Sequence, residues 1–438
     1  MTTIAIIGAG GHVFPLRLVN DLLAFPALHD SALVLMDVNA QNLARAERLT
    51  RRLAEVRGVA LSIRATTDLV DAVRGSDVIV TCFQVGGLEA YATDIEVPRR
   101  HGVDQTVGDT LGPGGVFRGL RTLRALDDVA TAILEHSPDA LLLNYANPMS
   151  IACALTSRRG VRTVGLCHSV QHTADQLADI MGYASGEWSF RAAGINHQSW
   201  ILAFRHRGRD VLDEVRGGVE AYSRGEREPA QPIDERYAGG REGVRTAVMQ
   251  LTGHFQTESS HHASDYYPYF RRDPAATRRW LPERWDYLEI GRAAADDDPD
   301  QALREVVADP TPSVDYAARI VDSIVTGTPR VVYGNVPNHG LISNLPTGVC
   351  VEVPVLVDGS GPQPTAVGDL PTACAAVNLA TIGLQTTTLE AYLTRSRALV
   401  HAAVALDRLT SSLLGLDEIG QMVDEMISAQ ARWLPELR

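Results

Sequence analysis

The 438-residue chain is long enough for two packed domains or one elaborated one, and its 45% hydrophobic and 21% charged content is that of a globular protein with ample core. Its formal charge of −13 argues against a polyanionic partner such as nucleic acid, and no apolar run approaches the length that spans a bilayer. All 40 basic residues are arginine, which excludes the lysine of a Walker-A loop, of a kinase site or of a Schiff base.

The opening MTTIAIIGAGG has no basic n-region, and its apolar run ends after a few residues at glycines. It reads as a strand rather than a signal peptide, and a cytoplasmic location is expected. Cys82, Cys153, Cys167, Cys350 and Cys374 are odd in number and far apart, so reduced thiols are expected. The stretch TTIAIIGAGGHVFPLRLVNDLL predicts a strand, a glycine turn and an amphipathic helix, and ALVLMDVNAQNLARAERLTRRLAEV repeats the plan. SDVIVTCF, a helix over 120–136 and DALLLNYANP continue it. Strands alternating with helices imply an α/β fold with a doubly wound parallel sheet, which binds ligands at the carboxyl ends of its strands.

Gly8 and Gly10, followed by Gly11 and His12, supply the first two glycines of a dinucleotide fingerprint, while Val13 stands where the third would be. Asp37 closes the second strand about 29 residues after Gly8, where an acid accepts hydrogen bonds from a ribose, so the turn predicts NAD rather than NADP. VGDTLGPGGVFRGLRT surrounds Asp109 with glycines and carries Arg118; glycines this dense let a loop pack closely on a ligand. Asn144 and Asn147 end the fourth strand, where carboxamides can orient sugar hydroxyls.

Cys167 ends the strand RTVGLC beside His168, and Asn196 and His197 end another strand-like run thirty residues on. A Cys and His pair with open remaining positions suits a borderline divalent transition metal. Beyond about residue 200 the pattern changes. SWILAFRHRGRDVL reads as a hairpin, RGGVEAYSRGEREPAQPIDERY as loops or helix ends, and helical periodicity dominates over 372–437. Residues 1–195 are read as the nucleotide-binding domain and 196–438 as a mainly helical α+β domain for metal, substrate and oligomer contacts. HFQTESSHHASDYYPYFRR groups Glu258, His261, His262, Asp265, Tyr266 and Tyr267, the mix of aromatic and polar groups that a carbohydrate site needs.

These stretches, taken in order with NYANPMS, GLCHS, GINHQSW, NVPNHGLISNLPTG and ALDRLTSSLLGLDEI, resemble glycoside hydrolase family 4 across essentially the whole chain. NPM and GLCHS are similar to the branch acting on unphosphorylated α-galactosides and α-uronides. The resemblance implies a lactate/malate-dehydrogenase-like fold, NAD, and a divalent metal, typically manganese, on Cys167 and His197. It also implies a chemistry outside the two-carboxylate scheme of most glycosidases. Oxidation at C3 makes the C2 proton acidic, elimination expels the leaving group, water adds, and hydride returns to C3. Tyr266 matches the family's C2 base, with Asp265 as alternate, and Asp109 and His168 both match positions proposed for the leaving-group acid. A small glycoside substrate is implied, an α-galactoside first and an α-glucuronide or α-galacturonide second, with Arg118, Arg271 and Arg272 as candidates to meet a uronate. A homodimer or homotetramer is implied as well. The competing class is a 2-hydroxy-acid dehydrogenase on the same fold, against which the Cys167 and His197 pair argues.

Overall fold

Apolar runs of four or five residues form the first strands. β1 (Thr3–Ile7), β2 (Ala32–Met36), β4 (Val78–Thr81), β5 (Leu141–Asn144) and β6 (Arg162–Gly165) lie parallel, and β3 (Ser62–Thr66) adds an outer edge, in the order β3-β2-β1-β4-β5-β6. The period of two divides these strands between two cores. Ile4, Ile6, Leu33, Leu35, Val78, Val80, Leu141 and Leu143 face one side, and Ala5, Ile7, Val34, Met36, Ile79 and Leu142 face the other. Burial on both faces is why these strands read as continuous apolar runs rather than as alternating ones. The computed structural model describes residues 1–11, 13–233, 239–295 and 298–438. Among them no helix is long and apolar enough to cross a membrane.

The crossovers are the helices α1 (Phe14–Leu23), α2 (Ala40–Arg57), α3 (Leu69–Val73), α4 (Gly87–Arg100), α5 (Gly112–His136) and α6 (Met149–Arg158), and α7 (Ser169–Met181) follows β6. Strand order reverses between β1 and β4, which places a ligand crevice at their carboxyl ends. α5 begins eight residues before the predicted helix at 120, and its GPGG turn is packed against the chain itself. A Cβ on Gly114 would sit 2.4 Å from the Gly108 carbonyl oxygen, and one on Gly115 2.4 Å from the Thr110 carbonyl carbon. The glycines thus seat the helix on the loop that carries Asp109.

The second half extends the same sheet. β7 (Trp188–Ile195) and β8 (Gln198–His206) pair antiparallel, and β9 (Arg209–Asp210) closes the predicted hairpin through Arg207 and Gly208, both at positive φ. β10 (Arg330–Pro337) joins β6, β11 (Cys350–Asp358) lies between β10 and β7, and β12 (Gly361–Pro364) pairs with β11. The polar stretch from residue 216, expected as loops or helix ends, opens with the second half of a helix over Leu212–Ser223, in which Val215, Val219 and Tyr222 fall on one buried face. Four helices, the longest Thr372–Thr394, cover the end of the chain.

Glu352 of β11 is fully buried at the junction of these strands. Its carboxyl accepts from Ser199 Oγ of β8 at 2.5 Å and from Asn335 Nδ2 of β10 at 3.1 Å. Burial outweighs these bonds and pushes its pKa up from 4.5 to about 7. Between those values the native state holds a proton that the unfolded chain has lost. The stability this protonation contributes is full below the unfolded value and is lost as pH rises through 7, by up to about 3 kcal/mol. Glu352→Gln keeps the neutral shape. Urea midpoints are therefore expected to favour the variant progressively from pH 5 to pH 8; a difference from the native protein that does not change with pH would contradict this account.

Candidate active site

The segments that follow β4, β5 and β6 converge on a cleft of about 770 Å³. Cys82, Phe83 and Gln84 come from the first, Asn147 and Met149 from the second, and Cys167 and His168 from the third. Phe14, at the start of α1, closes the end nearest the glycine turn, and Asp109, Arg118, His197, Glu258 and His262 close the other.

At the far end a thiol, an imidazole and a carboxylate meet. Cys167 Sγ lies 3.4 Å from His197 Nε2, and a Glu258 oxygen lies 3.5 Å from the same nitrogen. All three ligand atoms fall within 4.8 Å of one another. His197 has a positive φ of 62°, as does Glu258 at 76°, a strained backbone state that aims both side chains into one corner. Burial, with the neighbouring His262, pushes the His197 pKa down to about 4, so its ring is neutral and able to ligate. Burial also pushes the Cys167 thiol up, so a proton must leave it when a cation binds. A thiolate, a neutral imidazole and a carboxylate with positions left open fit a borderline divalent ion.

The other nitrogen of His197 faces hydroxyls. Nδ1 lies 3.2 Å from Tyr266 Oη and 3.2 Å from Thr110 Oγ1. Next to it, His262 is held between two carboxylates, with Nε2 3.0 Å from Asp109 and Nδ1 3.1 Å from Glu258. Burial disfavours its charge, but Glu258 and Asp109 outweigh this and push its pKa up to about 10. Burial likewise opposes the two carboxylates' charges. His262 and Arg118 nevertheless hold Asp109 well below the usual range, and His197 and His262 do the same for Glu258. Asp109 also accepts from Asn147 Nδ2 at 3.1 Å and from Thr110 Oγ1 at 2.9 Å. Arg118 reaches within 3.7 Å of Asp109, and two of its buried nitrogens, Nε and Nη1, have no hydrogen-bond acceptor among the described residues.

Of the residues singled out from sequence, Tyr266, Asp109, His168, Cys167, His197, Asn147 and Arg118 are thus brought together, and others are not. Asp265 is no alternate base. Its carboxylate accepts from the backbone N–H groups of Thr106, Val107 and Gly108 at 3.0–3.1 Å and pairs with Arg271 at 2.8 Å, so it anchors the Asp109 loop from behind. Arg271 is committed there and Arg272 points to solvent, which leaves Arg118 as the inward-facing arginine of the three. Asn144 is also a correction: it holds Thr81 and the Ala146 backbone behind the cleft wall. Asn196 is buried and lies outside the cleft lining. It makes no well-formed hydrogen bond among the described residues, although it is close enough to Glu352 to favour that carboxylate's charged form.

The glycine turn has the form a pyrophosphate cradle requires. Gly8 sits at φ 95°, and a Cβ there would come within 2.8 Å of Phe83. Gly10 N donates to Asp37 at 2.9 Å, so Asp37 braces the turn and lies outside the large cleft's lining. Gly11 packs on Pro15, and His12 lies outside the described residues. Sequence reading grouped Glu258 and His262 with their neighbours but gave them no task. Phe14, Phe83, Tyr145 and Trp285, which also line the cleft, carried no signal beyond their aromatic character.

A doubly wound α/β sheet with a metal-competent corner at its ligand edge is a dehydrogenase-like fold. Residues 3–183 match the family described as family 4 glycosyl hydrolase, and residues 192–410 match its C-terminal domain. The chain is 37% identical over 99% of its length to an alpha-galactosidase of Rhizobium meliloti (strain 1021), covering 89% of that protein. It is 27% identical over 99% of its length to an alpha-galacturonidase of Thermoanaerobacterium saccharolyticum, covering 96% of it. A 6-phospho-alpha-glucosidase from gut microorganisms, solved with NAD and Mn2+, superposes with a TM-score of 0.82 at 21% identity over the full length of both chains. The chain belongs to the family 4 glycosyl hydrolases and is a glycosidase.

Asp265→Asn removes the close carboxylate partner of buried Arg271 and leaves it Asp104 at 4.0 Å, so it is expected to destabilise the protein by about 3 kcal/mol in denaturant unfolding. Unchanged stability would mean that the Asp109 loop is held by something else.

Proposed function

We propose that the chain hydrolyses an unphosphorylated α-hexoside, an α-galactoside first, using NAD and a divalent cation, manganese foremost. The observation that carries this reading is the meeting of Cys167, His197, Glu258 and Asp109 in one cleft, at the sheet edge where the glycine turn opens, with Tyr266 buried behind His197 and its Oη 3.2 Å from Nδ1 of that ring. The 37% identity to an alpha-galactosidase supports the sugar, and the neighbour solved with NAD and Mn2+ supports the two cofactors.

When bound, NAD supplies a temporary hydride sink and the cation, held by Cys167, His197 and Glu258, supplies Lewis acidity towards the sugar oxygens. Tyr266 takes the proton from C2. Burial and the charges of Asp109, Glu258 and Asp265 all hold its phenol well above the ordinary value, so action as a base needs a compensating donor. His197 provides one. With Nε2 turned to the thiol and carboxylate, Nδ1 carries the ring hydrogen and can donate to Tyr266 Oη, which favours the phenolate. Asp109 stays ionised and orients Asn147 and Arg118. His168 lines the cleft with its pKa raised, the pull of Asp315 outweighing burial, and is the better placed of the two candidates to protonate the leaving oxygen.

A second substrate, an α-uronide, is favoured by Arg118, whose Nε and Nη1 lack a hydrogen-bond acceptor among the described residues although Nη1 lies 3.7 Å from Asp109. The 27% identity to an alpha-galacturonidase supports the same alternative.

Release of p-nitrophenol from the α-galactoside, α-galacturonide and α-glucuronide is to be measured with NAD and manganese each present or omitted. Cleavage that needs both is expected. No cleavage, together with NAD reduction by a 2-hydroxy acid, would replace the glycosidase scheme with a dehydrogenase. Tyr266→Phe is expected to lower kcat by about 10²–10⁴-fold with the thermal midpoint retained. A smaller loss would remove Tyr266 from the chemistry.

A further inference from the structure

Three separate segments carry Cys167, His197 and Glu258, and all three are tied to one buried group behind them. We propose that Glu352 is a positioning residue for this corner: by bridging the three segments it sets the spacing of the ligand atoms and thereby the affinity for a divalent cation. The proposal rests on the cation site of the reading above and adds to it a residue outside the cleft lining.

The first arm of the bridge leads to Cys167. Glu352 Oε1 lies 3.1 Å from Asn335 Nδ2, and the same nitrogen lies 3.4 Å from the carbonyl oxygen of Gly165, two residues before Cys167. The second arm leads to His197. Glu352 Oε2 lies 2.5 Å from Ser199 Oγ, which also lies 3.2 Å from the carbonyl oxygen of Ile195. Ile195 pairs with Gln198 across a two-residue turn, so this contact closes the turn in which His197 takes its positive φ of 62°. The third arm starts from the same serine. Ser199 N donates to Thr257 Oγ1 at 3.2 Å, and Thr257 N donates to the Ser199 carbonyl at 2.8 Å, which fixes the residue before Glu258.

The backbone leaves this task to side chains. β10 meets β6 in a single register pair, Asn335 with Gly165, and β11 meets β7 in a single pair, Glu352 with Gly194, whereas β1 and β2 stay in register over five. One pair constrains the angle and separation of two strands weakly, and the buried side chains at these two positions supply the rest. A Cβ on Gly165 would come within 2.9 Å of Asn335 Cβ, so the strands meet there as closely as a glycine allows.

Stability alone gives no reason for a carboxyl at this place. Asn335 and Ser199 are neutral partners, and a buried polar group with neutral partners is worth little more than an apolar side chain of the same shape. An apolar side chain, however, cannot hold two polar partners at fixed distances. A binding constellation must be kept within about 0.5 Å of its productive geometry, and groups behind metal ligands that aim them are worth about 10–100-fold in affinity.

Manganese affinity is to be measured on the intact protein with NAD, from the electron paramagnetic resonance signal of the free ion, for Glu352→Gln and Glu352→Met. Both variants lose the same ionisable group and differ in the bridge. The glutamine oxygen accepts from Asn335 Nδ2 and its NH2 group donates to Ser199 Oγ, whereas methionine holds neither. Glu352→Met is expected to weaken manganese binding by about tenfold or more, and Glu352→Gln to restore most of that affinity. With cobalt instead, the thiolate-to-cobalt absorption of Cys167 is expected to persist in the glutamine variant and to fade in the methionine variant. Equal losses in the two variants, or no loss in Glu352→Met, would overturn the bridge. NAD affinity measured without metal is expected to stay unchanged in both, which shows that the fold is kept. If Glu352→Met loses NAD binding as well, Ser199→Ala, which removes one arm and a single oxygen atom, is read in its place: a loss of about threefold or more in manganese affinity supports the bridge, and none overturns it. If the native protein binds no manganese, the cation site itself fails, and the bridge with it.

Discussion

The imidazolium of His262, held between the buried carboxylates of Asp109 and Glu258, is the interaction on which the rest of the site depends. It joins a loop before α5 to a segment about 150 residues further along, and its positive charge offsets the repulsion between two largely buried acids at the wall of the cleft. Because His262 takes up charge from both, Glu258 remains ionised beside Cys167 and His197, and Asp109 remains ionised beside Asn147 and Arg118. Removing the imidazole would leave Asp109 with only the more distant Arg118, at 3.7 Å, and Glu258 without its imidazolium partner, beside the corner that could hold a cation. Asp265 braces the same loop from the other side through three backbone N–H groups. Two acids at either end of the segment 258–265, Glu258 just before its short helix and Asp265 at the end of that helix, therefore hold the Asp109 loop in opposite ways, one through a shared imidazole and one through the main chain.

Much of this was legible in the sequence, and the boundary between what was and was not follows the range of the interactions. The turn at Gly8, the acid at Asp37 and the strand-end positions of Cys167 and Asn147 are set by local pattern and by the rule that parallel sheets bind at their carboxyl ends. The glycines before Arg118 were legible as a close approach, but not as one between the chain and itself. Asp265 and Asn144 were misread for a common reason. Each is a polar residue in a chemically suggestive stretch whose partners are distant in sequence or behind the wall, and residue type alone cannot tell a side chain that faces a cleft from one that holds its backbone. Glu258 escaped assignment because its aim depends on a left-handed backbone state that no sequence period announces. The helix over Leu212–Ser223 was hidden by charged residues on its solvent face.

The same sheet serves both halves of the chemistry. Its parallel strands present the glycine turn and the wall from Cys82 to Gln84, and its antiparallel extension brings His197 and Glu352 to the strand ends next to Cys167. One continuous sheet fixes the distance between the place where a hydride acceptor would lie and the corner where a cation would lie, which a hinged pair of domains would not. Tyr266 stands behind that corner on His197, and His168 stands at the start of α7, so the proposed proton removal and the proposed proton delivery fall on different elements.

The central claim is that bond cleavage proceeds by removal of the C2 proton rather than by direct displacement at C1. Hydrolysis in heavy water with NAD and manganese, followed by NMR of the released sugar, tests it most directly. One deuterium at C2 in the product is the result this account predicts. A product that keeps hydrogen at C2 while the glycosidic bond is cleaved would contradict it and would remove the proposed role of Tyr266.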